Sequence, residues 1–222
     1  MKKFLLLLLF VCVGCSIQNS SIQDALNTEM NLAYDEIPQT TKYRNDLYAY
    51  YLAPDVGRVS ATQMGNTFNY NGNLIQMNLN VQKIINDKYY EGKEYANIHF
   101  PDELKVASFE GVFDTLEQET HPYVIDVFEI NNQYYTTFKS DHVLFGSISN
   151  KHSVASIAAE MLRIAKSLDV DYNAVVTKFS TKDVITYEST SIDLFENIVP
   201  EEGNIEELFK TDEFNNIVDI DE

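Results

Sequence analysis

Only two cysteines occur in the 222 residues, Cys12 and Cys15, which rules out a disulfide-stapled scaffold and any zinc centre built from four thiolates. Basic residues are scarce as well: 16 Lys and Arg stand against 34 Asp and Glu, for a net charge of −18. Such a field repels phosphate backbones and anionic lipid headgroups, so nucleic acid is not an expected partner. Tryptophan is absent, and there are eight glycines and five prolines. The longest apolar run, Phe4 to Val13, has ten residues, half of the roughly 20 needed to cross a bilayer. The chain has no Gly-x-Gly-x-x-Gly, no Gly-Lys-Ser or Gly-Lys-Thr, no Gly-x-Ser-x-Gly and no Ser-x-x-Lys. No phosphate cradle, cofactor motif or acyl-transfer nucleophile can therefore be read from it, and no cofactor or catalytic residue is assigned. What remains is abundant Asn, Tyr, Ile and Asp, a composition with enough aromatic and β-branched residues to fold.

Met1, Lys2 and Lys3 are followed by the apolar run and then by Gly14 and Cys15. A basic start, a short apolar core and a small residue at its end read as an export signal. With Cys15 directly after Gly14, the stretch resembles the lipobox of bacterial lipoproteins, although Cys12 occupies a position where that class usually has Leu. The resemblance covers about the first 20 residues. It implies cleavage before Cys15, diacylglycerol on the Cys15 sulfur, and a protein held on the extracytoplasmic face of the cell membrane by its acyl chains. Lipidation would leave no free thiol in the mature chain, whose charge becomes −20 once Lys2 and Lys3 are removed from the −18 total. Plentiful Asn, Ile and Tyr with little Gly also suit a low-GC genome, which together with the lipobox leans towards a Gram-positive bacterium.

The expected organisation is a signal peptide over 1–14, a lipidated cysteine and polar tether over 15–22, an N-terminal helix and hairpin region over 23–80, an α+β core over 81–200 and an acidic segment over 201–222. Leu26, Met30, Ala33 and Tyr34 recur at helical steps, which predicts a helix from Gln23 to Asp35 ended by Pro38. Leu47 to Leu52 reads as an aromatic strand. Asn66 to Tyr70 and Asn73 to Asn80 flank Asn71-Gly72, a pair suited to a two-residue hairpin turn. A short helix follows from Val81 to Tyr90. Strands are expected over Val106–Leu116, Tyr123–Ile130 and Gln133–Lys139, the last two joined at Asn131-Asn132, with a possible fourth over His142–Ser149. Val154, Ile157, Ala158, Met161, Ala165 and Leu168 share one face of the strongest helix, Ser153 to Leu168, which should lie across the sheet. Tyr172–Phe179 and Asp183–Glu188 read as a second hairpin, and Ser191–Ile198 and the turn through Phe209 as short helices. The fold class is α+β: an antiparallel sheet packed by one main amphipathic helix and several short ones. From Val81 the order of elements resembles the type III secretion chaperone-like fold, acidic proteins that bind other chains.

Several groups invite a chemical reading. Asp169, Asp171 and Asn173 open like a calcium loop, but Ala174 stands where that loop needs Gly and Ser180 where it needs Glu. His99, His121, His142 and His152 are scattered, with no Glu-x-x-His or i,i+4 pair, so no metal site is assigned; His121, before Pro122, reads as a turn residue. Tyr48, Tyr50, Tyr51 and Tyr70 are candidates to bind sugar rings or peptide through exposed aromatic faces, with buried strand residues as the competing reading. The segment from 201 carries nine acids against Lys210 alone. The reading that combines these is a lipid-anchored, non-catalytic binding or assembly module for another envelope protein. The alternative is an extracytoplasmic hydrolase using carboxylates with His121 or His142. A deep pocket with converging carboxylates and histidines would favour the second, and a shallow groove the first.

Overall fold

The computed structural model describes residues 21–90 and 100–180. The expected signal peptide, Cys12, Cys15, the tether to residue 20, His99 and every element expected beyond residue 180 lie outside the described residues. The fold is α+β, as expected. Seven antiparallel strands form one sheet: β3 (Val56–Ala61), β4 (Gly65–Tyr70), β5 (Asn73–Leu79), β6 (Lys105–Asp114), β7 (Thr120–Ile130), β8 (Gln133–Ser140) and β9 (Val143–Ser149), in the spatial order β3-β4-β5-β9-β8-β7-β6. Because β5 pairs with β9, the hairpin before residue 80 and the strands after residue 100 share that sheet. A smaller sheet holds β1 (Tyr43–Arg44), β2 (Tyr48–Tyr50) and β10 (Asp169–Val170), with β2 in the middle.

Turn chemistry sets the hairpins. Asn71 and Gly72 adopt φ of 50° and 79°, and Asn131 and Asn132 adopt 51° and 64°, the left-handed values that a tight two-residue turn requires and that Asn and Gly accept. Both turns sit where the sequence places them. Gly65 has a different constraint: a Cβ there would collide with the Asn78 side-chain oxygen and the Met77 carbonyl oxygen of β5. Since one obstacle is backbone, relief requires β4 and β5 to move apart. Gly65→Ala is therefore expected to cost about 3 kcal/mol, the upper end of the usual overpacking penalty, read as a lower urea midpoint at unchanged slope.

Among the described residues, four α-helices accompany the sheets. In α1 (Ile22–Asp35) the Ser21 hydroxyl accepts the Asp24 N–H at the N-cap, and Leu26, Met30 and Ala33 are buried on one face. The helix α2 (Val81–Tyr89) is capped by Asn80. The main helix, α3 (Val154–Lys166), is buried almost all round, packed against β5, β8 and β9 and against α1. Its Ala155, Ala158, Ala159 and Ala165 keep its girth small enough for that double contact. No helix among the described residues is long and apolar enough to cross a membrane. α1 also protects the sheet's β6 edge. The Gln23 amide accepts from the Ser108 N–H at 3.0 Å and donates to the Ser108 carbonyl at 2.8 Å, pairing like a strand residue with an edge that would otherwise invite another chain.

One of the expected elements needs correction. Tyr172–Phe179 is helix α4, not a strand: the Asp171 side chain accepts the Ala174 N–H at 2.9 Å, and Val175 and Val176 turn inward. The β-branched run Val175-Val176-Thr177 suggests a strand, but the cap and the packing of α4 on α2 override that weak preference. A helix there also departs from the chaperone-like order, in which a hairpin follows the main helix. The strand β3 was not expected at all. It is an edge strand in which only Val56 is buried, so no face of it carries an apolar pattern to read.

Candidate functional site

The four candidate tyrosines divide into two pairs. Tyr48 and Tyr50 are buried in the core. The Tyr50 hydroxyl bonds to the Asn66 side-chain oxygen at 3.1 Å, and the Asn66 amide donates to the Tyr48 hydroxyl at 2.6 Å. The Tyr50 ring also packs 5.6 Å from both Tyr43 and Phe68. Burial raises the pKa of both phenols, and neither ring offers a face to a ligand. Tyr51 and Tyr70 point elsewhere. They line a cleft of about 360 Å³ with Ile37 and Pro38, which follow α1, and with Glu160 and Arg163 of α3. That volume lies within the range of small-molecule and side-chain pockets.

The cleft's floor is a closed ionic network. Two guanidinium N–H groups of Arg163 donate to the two Glu36 oxygens, each at 2.8 Å, and a third reaches Glu160 Oε2 at 3.4 Å. The Arg163 hydrogen bond holds the Glu36 carboxyl below its ordinary value, while burial pushes Glu160 up. Lys166 is also engaged, donating to the carbonyls of Ala33, Tyr34 and Glu36. The network fixes the geometry of the walls. The cations are consumed within it, and Asp55 adds an exposed carboxylate at the rim.

A second constellation forms at the start of β7. His121 is a buried strand residue opposite Phe113, not a turn residue. Because Tyr123 pairs with Ser140 across β7 and β8, residue 121 falls beside the β8–β9 turn that carries Asp141 and His142. Asn80 anchors that turn, its N–H donating to the His142 carbonyl at 2.9 Å and its side-chain amide to the Ser140 carbonyl at 2.9 Å. His121 Nδ1 lies 2.9 Å from both Asp141 oxygens, and His142 Nδ1 lies 2.9 Å from Asp141 Oδ1. The ring centroids are 4.1 Å apart, with Phe113 packed against both. Burial would raise the Asp141 pKa, but the hydrogen bonds from the two imidazoles outweigh it and hold the carboxyl far below its usual range. Burial also pushes the His142 pKa down, against the pull of Asp141. Only sheet register joins residues 121 and 142, and no spacing rule for metal or catalytic motifs would have paired them.

Above the two rings is a small cavity of about 80 Å³, whose walls include Thr115, Glu117, Glu119, Asp169 and Tyr172. Asp169 and Asp171 do not form a calcium loop: Asp169 lies 3.5 Å from Arg44 and Asp171 caps α4. His152 is exposed in the turn before α3. Compared with models of known protein families, with curated protein sequences and with solved structures, the chain shows no match.

Proposed function

We propose that this chain is a lipid-anchored, extracytoplasmic binding module, tethered through Cys15, whose cleft beside Tyr51 and Tyr70 receives a segment of another envelope protein. The observation that carries the reading is the cleft itself: two tyrosines with Ile37 and Pro38, beside an Arg163–Glu36 ion pair that braces it. Tyrosine offers a large, rigid, amphipathic contact at low entropic cost, the composition favoured where proteins recognise peptides. With Arg163 and Lys166 already engaged, the cleft favours a neutral or basic partner segment, in keeping with a chain of net charge −18.

The hydrolase alternative draws support from the convergence of His121, Asp141 and His142. Against it, the adjoining cavity of about 80 Å³ is well below the roughly 300 Å³ at which pockets begin to hold an organic substrate. The test is site-specific photo-crosslinking in the native cell. A benzophenone amino acid at position 51 should give one discrete protein adduct, and the same probe at exposed Val59 on β3 should not. Adducts of equal yield at both positions, or lipid as the sole product at position 51, would remove the support for a protein-binding cleft.

A further inference from the structure

We infer that His121 and His142 form a binding site for one divalent transition-metal ion, with zinc as the best chemical match, independent of the tyrosine cleft. The argument begins with protons. Asp141 is an acceptor-only carboxylate, so each imidazole must present Nδ1–H to it. The tautomer of both rings is thereby fixed, with the lone pair of each on Nε2. Neither Nε2 has a hydrogen-bond partner among the described residues, although both atoms are buried, in side chains 7% and 1% exposed. Leaving a buried acceptor unpaired costs about 1–3 kcal/mol, and two in adjacent rings call for a physical reason.

A metal ion supplies one. A carboxylate behind a histidine, holding its Nδ1–H and aiming Nε2 forward, is the usual outer-shell support of a metal-bound imidazole, and here one carboxylate supports two. Both imidazoles line the small cavity, whereas Asp141 is not among its lining residues. The open side carries carboxylates: Glu119 Oε2 lies 3.7 Å from His121 Nε2, and Glu117 and Asp169 complete a wall without Lys or Arg. Two ligands about 2.1 Å from a tetrahedral zinc sit roughly 3.4 Å apart, so Glu119 needs only a small shift to become the third ligand. Two neutral imidazoles with one carboxylate select zinc and its transition-metal neighbours over magnesium and calcium, which prefer all-oxygen sites. A cavity of about 80 Å³ leaves room for an ion and a bound water.

The test uses the full-length protein in detergent, stripped with chelator and titrated with Co²⁺. One equivalent should produce the visible absorption of low-coordinate cobalt, displaced by Zn²⁺ but not by a hundredfold excess of Mg²⁺ or Ca²⁺. His121→Gln and His142→Gln should each abolish the band. Asp141→Asn should weaken binding by about 10- to 100-fold, the usual effect of losing an outer-shell partner. Glu119→Gln, at an exposed position, should weaken it without affecting folding. Should the histidine variants fail to fold, imidazole-resolved NMR of the unaltered protein decides: Zn²⁺ should shift the His121 and His142 ring signals and leave His152 unmoved. A folded protein that gives no cobalt band, a band that survives the double histidine substitution, or zinc shifts confined to carboxylates would each overturn the assignment, leaving a water as the occupant of the cavity.

Discussion

Replacing Lys166 by methionine is expected to lower the unfolding free energy by about 3 kcal/mol, a large share of the 5–15 kcal/mol that typically holds a domain together. The last carbonyls of any helix lack intrahelical partners. α1 ends without a glycine cap and with no basic residue in its last turn, so it cannot satisfy them locally. Lys166 does so from the neighbouring helix. Its side chain is buried, and its ammonium donates to the Ala33 carbonyl at 3.0 Å, the Tyr34 carbonyl at 2.6 Å and the Glu36 carbonyl. Methionine keeps the apolar stem but leaves three acceptors at the α1–α3 junction without a donor. Hydrogen bonds to a charged group contribute about 1.5–3 kcal/mol each, and orphaned acceptors add their own cost. The methionine thioether recovers part of the loss through packing. Arg44→Met serves as the comparison. Its pair with Asp169 is exposed on both sides and screened by solvent, so no more than about 1 kcal/mol is expected there. Urea midpoints of the two variants should fall in that order. Equal, small losses would mean that water caps α1 as well as lysine does.

The second large effect concerns location rather than folding. Cys15→Ala should move the protein from the membrane to the soluble fraction and abolish labelling by a fatty-acid probe. Transfer of an acyl chain contributes about 0.8 kcal/mol per CH₂, so two long chains hold with on the order of 20 kcal/mol and no partial phenotype is expected. Cys12→Ala should leave labelling intact. Neither substitution should change the melting temperature, because the described core begins at Ser21, where the N-cap of α1 is already in place. Labelling that persists without Cys15, or that depends on Cys12, would sink the lipid-anchor proposal. It would leave the cleft and the histidine pair as they stand.

The stretches that were legible in advance are those whose conformation is decided by their immediate neighbours in sequence. Asn71-Gly72 and Asn131-Asn132 turn because few other residues accept positive φ. α1 and α3 form where apolar residues recur every three or four positions, and β6 and the first part of β7 alternate buried with more exposed residues. Where one local preference had to compete with another, as at Tyr172–Phe179, the β-branched run misled and the capping aspartate with its packing partner decided. Where burial was slight, as in β3, there was no pattern to read.

The sites were another matter. Among tyrosines of similar local sequence, only strand direction and the position of α3 separate Tyr48 and Tyr50, sealed on Asn66, from Tyr51 and Tyr70, open to the cleft. His121 and His142 are 21 positions apart and become neighbours because β7 and β8 pair at Tyr123 and Ser140; a slip of one residue would turn the two rings to opposite faces. By itself the sequence determined the acidic charge, the α+β class and the tight turns, since composition and short-range sterics suffice for those. Tertiary structure alone decided which polar side chains meet, because strand register and helix docking are set by burial summed over the whole sheet rather than by any residue's neighbours.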